Sequence, residues 1–399
     1  MTDMRERVHT PVSDGELERR WAAVRAAMEA AGIDVLVAQN TNDHMGGYVK
    51  WLTDVPAVNG YPLTVIFPRE DAMSVVAHGP VGDDAPMPAG GDGLWRGVER
   101  LLTTASFASA PYTRAYDAEL AARPLAAFAR GTIGLVGTYA MSFAFVDRLS
   151  RELPEATFAE ASELVDPIKT IKSEEEKELV RRTAALQDAA MEAAFATVEP
   201  GRRDSDIAAV AQHRSQELGS EQGIYLCASA SPGEPAAIGP RHLQHRTLRE
   251  GDVLMLLIEN NGPGGMYAEL GRTCVLGKAP QRLLEEHAFT LEAQEHCLGL
   301  LRPGVPAADV FAQYNAFMRE HGRPEERRIH CHGQGYDLVE RPLVRFDETM
   351  RIEADMNLVC HPTYVQDDTP SWVCDNVLIG PDGVAERLHA FGKEIVELG

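Results

Sequence analysis

The 399-residue chain has no uncharged apolar stretch approaching the roughly 18 residues that a membrane-spanning helix needs, so no membrane partner is expected. Positive charge is scarce. Lys and Arg number 38 against 60 Asp and Glu, for a net charge of −22, which opposes binding to phosphate backbones and argues against nucleic acid. The six cysteines (Cys227, Cys274, Cys297, Cys331, Cys360 and Cys374) form no C-x-x-C pair and are scattered, which favours reduced thiols over a disulfide frame. The opening MTDMRERVHTPVSDGELERRW has no apolar core of a signal peptide, so a cytoplasmic location is expected. There is no low-complexity segment. What remains is an ordinary globular composition, 44% hydrophobic and 25% charged, at a length that suits two large domains.

The first half alternates helical and extended patterns. Glu16 to Ala31 has helical period and composition, and Gly32 follows as a stop. Asp34–Gln39, Pro62–Phe67, Ser74–Gly79 and Thr132–Gly137 read as strands, with a Gly/Pro/Asp-rich loop over Gly82–Gly93. The expectation is an α/β domain with mainly parallel strands. Near Asp166 the pattern changes to a long helix, opened by a capping box of Ser173 with Glu176 and closed by Pro200-Gly201. A second helix is expected over Ser205–Leu218. The segment from Arg302 to Pro324 repeats the logic of a Pro-Gly turn, an amphipathic helix and a Gly stop, which hints at an internal duplication.

Five residues carry candidate chemistry. Glu259 closes the apolar run VLMLLIE, and Glu269 follows the turn NNGPGG, so a hairpin would bring both carboxylates together. A carboxylate closing so apolar a run needs something to satisfy it: a metal, a proton to move, or a carbon to attack. His332 sits in the loop H-G-Q-G, whose glycines suggest backbone close to a ligand. His361 precedes Pro362. Cys374 is either a buried inert thiol or, beside an imidazole, a metal ligand or nucleophile. His242 and His245 lie just before the site strands. Tyr48, Trp51 and Tyr61 could wall a small substrate or belong to the core.

These motifs, in this order, resemble the methionine aminopeptidase, prolidase and creatinase superfamily. I-K-S-x-x-E-x-x-L-V at Ile171–Val180 and V-x-P-G at Val198–Gly201 look like the opening of its catalytic domain. Y-A-E-L-G-R-T (Tyr267–Thr273) stands for Y-x-D-x-x-R-T, H-P-T-Y (His361–Tyr364) for E-P-G-x-Y, and C-D-N-V-L-I-G (Cys374–Gly380) for E-D-x-x-L-V-T. The resemblance implies an α+β protein: a pita-bread catalytic domain over residues 166–399, preceded by a smaller creatinase-type α/β domain over 1–165. In the metallopeptidases of this group the five site positions hold two Asp, one His and two Glu around a metal pair. Here only the His is kept. The resemblance therefore implies a hydrolase of a non-peptide C–N bond (amidine, guanidino, cyclic amidine or amide) in a small polar metabolite, similar to creatinase or ectoine hydrolases. The creatinase residues that grip the guanidinium fall at Gly271 and His361, against creatine itself as substrate. No cofactor is expected, the alternative being one zinc or iron ion held by some of Glu259, Glu269, His332, His361 and Cys374. The competing readings are a metal-dependent Xaa-Pro dipeptidase-like hydrolase or lyase with a mononuclear ligand set, and a non-catalytic binding protein. Against an ordinary prolidase, Val339-Glu340-Arg341-Pro342 stands where H-E-x-P is usual. The resemblance implies His242 as a substrate-facing base. Arg272 is expected to clamp a site carboxylate at the substrate pocket. A homodimer is expected, with the His44–Trp51 region covering the partner's site.

Overall fold

A computed structural model describes residues 9–42, 44–113, 115–236, 238–362 and 369–399. Thr363 and Tyr364 of the H-P-T-Y motif lie outside them. The chain divides into two compact units, Met1–Lys169 and Thr170–Gly399.

The first unit runs α1 (Asp14–Ala31), β1 (Val35–Asn40), α2 (Gly47–Thr53), β2 (Leu63–Pro68), β3 (Met73–His78), β4 (Asp84–Pro86), β5 (Val98–Thr104), α3 (Tyr116–Leu125), β6 (Thr132–Val136), α4 (Phe143–Glu152), β7 (Thr157–Glu160) and α5 (Ser162–Thr170). Gly32 ends α1 in the left-handed conformation, with its N–H bonded back into the helix. The strands form one sheet in the order β4-β5-β3-β2-β1-β6-β7. It is mixed rather than mainly parallel: β1, β6 and β7 run parallel, but β2 is antiparallel to both β1 and β3. Only four residues separate β2 from β3, too few for a parallel crossover. The proposed junction at Asp166 falls inside α5. Trp51, offered as a substrate wall, is core instead, 1% exposed with the Arg20 guanidinium over its ring.

The second unit holds α6 (Glu174–Phe195), α7 (Asp204–Glu217), β8 (Gly223–Ala230), β9 (Val253–Asn261), β10 (Tyr267–Leu276), α8 (Gln281–Leu300), α9 (Ala307–Glu320), β11 (Cys331–Gly333), β12 (Glu340–Leu343), β13 (Asn357–Cys360), β14 (Asp375–Gly380), β15 (Gly383–Arg387) and β16 (Val396–Leu398). Both halves of the Ser173–Glu176 capping box form at the start of α6. The strands make two sheets, β16-β10-β9-β8 and β12-β11-β13-β14-β15. Backbone bonds between Gly271 and Cys374 join them. Two helices back each sheet. Alternate residues of β9 and β10, such as Leu254, Leu256, Ile258 and Leu270, pack on α6 and α7. Cys331, Leu358, Cys360 and Val377 pack on α8 and α9. The helix pair followed by a sheet thus occurs twice in sequence. The period of two along each strand leaves the intervening residues, Glu259, Glu269, His332 and His361, on the faces away from the helices. No helix of the described residues is long and apolar enough to cross a membrane.

Candidate active site

Glu259 and Glu269 are direct partners across the β9–β10 hairpin. Both are buried, at 6% and 4% exposure. Two carboxylates at this separation in a dry site cannot both ionise cheaply. Burial first, and then the charge and hydrogen bond of Glu269, push Glu259 well above the ordinary carboxylate range. Burial also raises Glu269, against the opposing pull of the Cys374 thiol and of Glu259. Burial and mutual repulsion thus favour a single proton on the pair, which titrates as a unit.

The Gln334 Nε2 amide donates to Glu259 Oε1 at 3.1 Å and to the Leu338 carbonyl. Asn376 joins the two strands, accepting from the Glu269 N–H at 2.7 Å and donating to Gln334 Oε1 at 2.8 Å. From α6, Gln187 donates to the Ala268 carbonyl and to Asn260, fixing the hairpin from behind. Sequence reasoning missed Gln334, Asn376 and Gln187. Their signal is three amides in otherwise apolar or motif-bearing segments.

His332 donates its Nδ1 hydrogen to the Gly333 carbonyl (2.9 Å), which leaves the Nε2 lone pair facing Glu269 Oε2 at 3.8 Å. Burial lowers it to about 4, so the ring is neutral at physiological pH. His361 lies against it, with ring centroids 5.1 Å apart, and its Nδ1 has no partner among the described residues. Burial, then His332, lowers His361 further. The neighbouring His330 is buried and stacked 3.7 Å from the Tyr314 ring, outside this group. The glycines of the H-G-Q-G loop make room for the chain itself rather than for a ligand. A Cβ on Gly333 would lie 2.4 Å from the Arg341 carbonyl oxygen, and one on Gly335 would lie 2.5 Å from the Glu340 carboxylate. That carboxylate is paired with Lys172.

The Cys374 thiol donates to Glu269 Oε1 at 2.7 Å. Burial and the Glu269 charge push the thiol well above its ordinary value, so it is a neutral donor and not an activated nucleophile. Arg272 is a clamp, as expected, but does not face a substrate. It is fully buried, and its guanidinium donates to Asp375 and to the carbonyls of Gly271, Cys374, Phe391 and Gly392. It fixes β14, and with it Cys374. At Gly271 no side chain fits, because a Cβ would stand 2.2 Å from the Trp372 indole. The Trp372 Nε1 hydrogen is buried and has no partner among the described residues, and the ring packs against Cys374. The exposed Arg328 is the cation whose field acts on Glu259, Glu269, His332 and His361 together.

The remaining candidates do not join this cluster. His242 is exposed on a short 3-10 turn, and the exposed His245 meets Arg203. In the first unit, the Tyr48 hydroxyl donates to Asp166, and Tyr61 packs at a tilt on His78 near the surface.

Glu269, His332 and His361 offer ligand atoms within 4.8 Å of one another. Two imidazoles and a carboxylate suit one zinc-like ion, and the Nδ1–H bond that fixes the His332 ring is the kind that orients metal-binding histidines. An ion would also partner the orphaned His361 nitrogen. The set fits one ion. The three ligand atoms within reach of one another belong to Glu269, His332 and His361 among the described residues.

The sequence profile of metallopeptidase family M24 matches residues 178–385, just over half of the chain, and the chain belongs to that family. It is similar over 97% of its length to an ectoine hydrolase from Halomonas elongata (25% identical, 98% of that protein covered). It is 24% identical to an Xaa-Pro dipeptidase from Pyrococcus furiosus, over 66% of this chain and 75% of that protein. Among solved structures, an X-Pro aminopeptidase from Thermotoga maritima superposes with a TM-score of 0.77 at 16% identity, over 95% of this chain and 99% of that one. The fold is therefore the pita-bread fold with its N-terminal domain, and the protein is a hydrolase of C–N bonds.

Proposed function

We propose that the protein hydrolyses a non-peptide C–N bond in a small, cationic metabolite, with a cyclic amidine such as ectoine as the leading candidate. The observation that carries this reading is the buried Glu259–Glu269 pair with its single shared proton. A cationic substrate beside the pair would offset the repulsion that keeps Glu259 protonated, so binding itself would release the proton and create a second carboxylate. The neutral His332, with its Nε2 facing Glu269, would relay that proton to the departing nitrogen rather than keep it. Glu259 would then draw a proton from water, whose oxygen bonds to the amidine carbon as the C–N bond breaks and the nitrogen leaves protonated, while Glu269 holds the cationic nitrogen. The Trp372 N–H would steady charge developing beside Cys374, and Arg328 would bind a substrate carboxylate. Were an ion held at Glu269, His332 and His361 instead, it would supply Lewis-acid polarisation, with those three residues its ligands rather than partners of the substrate nitrogen and the proton.

The match to an ectoine hydrolase along nearly the whole chain supports this substrate class, and the match to an Xaa-Pro dipeptidase over 66% of the chain is the ground of the competing one. A cytoplasmic homodimer acting on a small molecule completes the proposal. The test is a proton NMR assay of ring opening with ectoine, creatine, a lactam and X-Pro dipeptides in parallel. Cleavage of the dipeptides with no turnover of any amidine would overturn it.

A further inference from the structure

β9 and β10 are buried along their whole length, but their neighbour β8 is not. Its helix-facing Tyr225 and Cys227 are buried, whereas Ile224 and Leu226, on the side of Glu259, are half-buried. An antiparallel sheet with one open face ordinarily alternates apolar and polar residues. On β8 the open, site-facing positions are branched apolar residues instead.

The register sets these residues beside the two carboxylates. Ile224 pairs with Glu259, and Glu259 pairs with Glu269. The next row on the same face, about 7 Å along the strands, reads Leu226, Leu257 and Gly271. The Trp372 indole fills the place of the missing side chain, since a Cβ on Gly271 would stand 2.2 Å from Cδ1 and 2.4 Å from Nε1. Thr273 holds the Trp372 backbone: its hydroxyl accepts from the Trp372 N–H at 2.9 Å and donates to the Trp372 carbonyl at 3.2 Å. Ile238 packs with Leu226, Leu257, Trp372 and Cys374 to complete the group. Leu226, Ile238 and Trp372 are only partly buried. Single exposed apolar residues need no explanation, but contiguous ones beside convergent polar groups have the composition of a ligand site.

We propose that Leu226, Ile238 and Trp372 form a subsite for an apolar carbon substituent on the substrate's amidine, and so select alkyl-bearing amidines over guanidino compounds. This inference rests on the amidine reading above. With the cationic nitrogens on the Glu259–Glu269 row, a substituent on the amidine carbon extends over the neighbouring row. An alkyl group there leaves water for Leu226, Ile238 and the indole. The amino group of a guanidine would lose its water against side chains that offer no acceptor. Ile238 and Leu226 take no part in the proposed proton transfers, so they act on the choice of substrate.

The test is calorimetric titration of the full chain with formamidinium, acetamidinium and butyramidinium chlorides. Each buried methylene adds about fourfold, so affinity should rise at least about tenfold from the first to the last. Ile238→Ser should cut that gain at least about threefold and leave formamidinium affinity within about twofold, whereas Ile238→Leu should keep the gain. In protein labelled with 5-fluorotryptophan, the Trp372 fluorine signal, identified by its loss in Trp372→Phe, should move further with butyramidinium than with formamidinium. That signal decides the matter if Ile238→Ser fails to fold. No binding of any amidinium, equal affinity along the series, a gain unchanged in Ile238→Ser, or an unmoved Trp372 signal would each overturn the subsite. Turnover of a cyclic amidine with and without a methyl on the amidine carbon is measured in parallel. Turnover of neither, with the chain-length gain intact, would overturn the hydrolytic reading and support the subsite. Turnover of both at equal kcat/KM would overturn the subsite and leave the hydrolytic reading standing.

Discussion

Replacing Glu259 by Gln isolates the shared proton from everything else in the site. Glutamine has nearly the same shape. Its amide oxygen can accept the Gln334 hydrogen bond that Glu259 Oε1 receives at 3.1 Å, and its NH₂ can donate to Glu269 as the shared proton does. Packing on the Leu257, Val359 and Cys374 side is untouched. The substitution therefore removes titration and little else. For stability the sign follows from linkage. Folding raises the Glu259 value above the ordinary 4.5, so above that pH the folded state keeps a proton that the unfolded chain gives up. Stability conferred by this group is lost as the pH rises through that window. Glu259→Gln should match the parent near pH 4.5 and exceed it increasingly at higher pH. For activity, loss of a general base should lower kcat by roughly 10²–10⁴-fold, about 3–5 kcal/mol of barrier, with KM little changed. Glu269→Gln should behave differently, because it replaces the charged acceptor of the Cys374 thiol at 2.7 Å by a neutral amide oxygen, at a stability cost of up to about 1 kcal/mol. The assay pairs steady-state turnover of the amidine with urea denaturation across pH. Full turnover in both variants would refute the mechanism. A Glu259→Gln stability profile parallel to the parent's would refute the shared proton.

Elemental mass spectrometry of tag-free protein, followed by zinc titration, should find no more than one tightly held ion per chain. His332→Ala and His361→Ala should each weaken zinc at least about tenfold, and Cys374→Ala should not. Asp117 is raised from 3.8 to about 6 by burial, so the folded state binds its proton more tightly across that interval. Stability should therefore fall as pH rises through it and level off above, and Asp117→Asn should gain up to about 3 kcal/mol at neutral pH. The fluorescence of Trp21, Trp51 and Trp95, all in the first unit, reads that transition. Arg272→Ala removes the guanidinium from the buried Asp375, leaving it Gln294, Lys393 and the field of His389, and should cost about 3–5 kcal/mol in urea denaturation.

Local pattern carried much of the architecture. The apolar run before Glu259 and the Gly/Pro turn after it suffice to set two strands antiparallel, and their register puts Glu259 opposite Glu269. The Ser173–Glu176 box marks the start of α6 to the residue. Alternation explains the histidines as well: Cys331 and Cys360 pair across β11 and β13 and face the helices, so His332 and His361 must face the site. What local pattern could not carry is satisfaction across distance. Gln334 meets Glu259 across 75 residues, and Arg272 reaches Asp375 across 103. A buried amide or guanidinium reads from sequence as an ordinary polar residue until its partner is in place. The order of the N-terminal sheet was hidden for the same reason. Each strand is visible alone, but which strand lies beside which is decided by the turns and by burial.

The charge of the site ties the altered residues to the proposed chemistry. Four carboxylates around one His, the set that related metallopeptidases carry, would leave a buried excess of negative charge that only bound cations could offset. In this chain two of those positions are an imidazole and a thiol. His332 and His361 are held neutral by burial, and Cys374 keeps its hydrogen. With one proton shared between Glu259 and Glu269, the cluster carries one net negative charge. That single charge can persist between the folded walls, with Cys374 donating to it and the field of Arg328 acting on it. It can equally accept one cation. An amidinium substrate and a single metal ion are the two natural occupants. On the proposed mechanism the first would also draw the shared proton from Glu259, so that the event that fills the site would arm it.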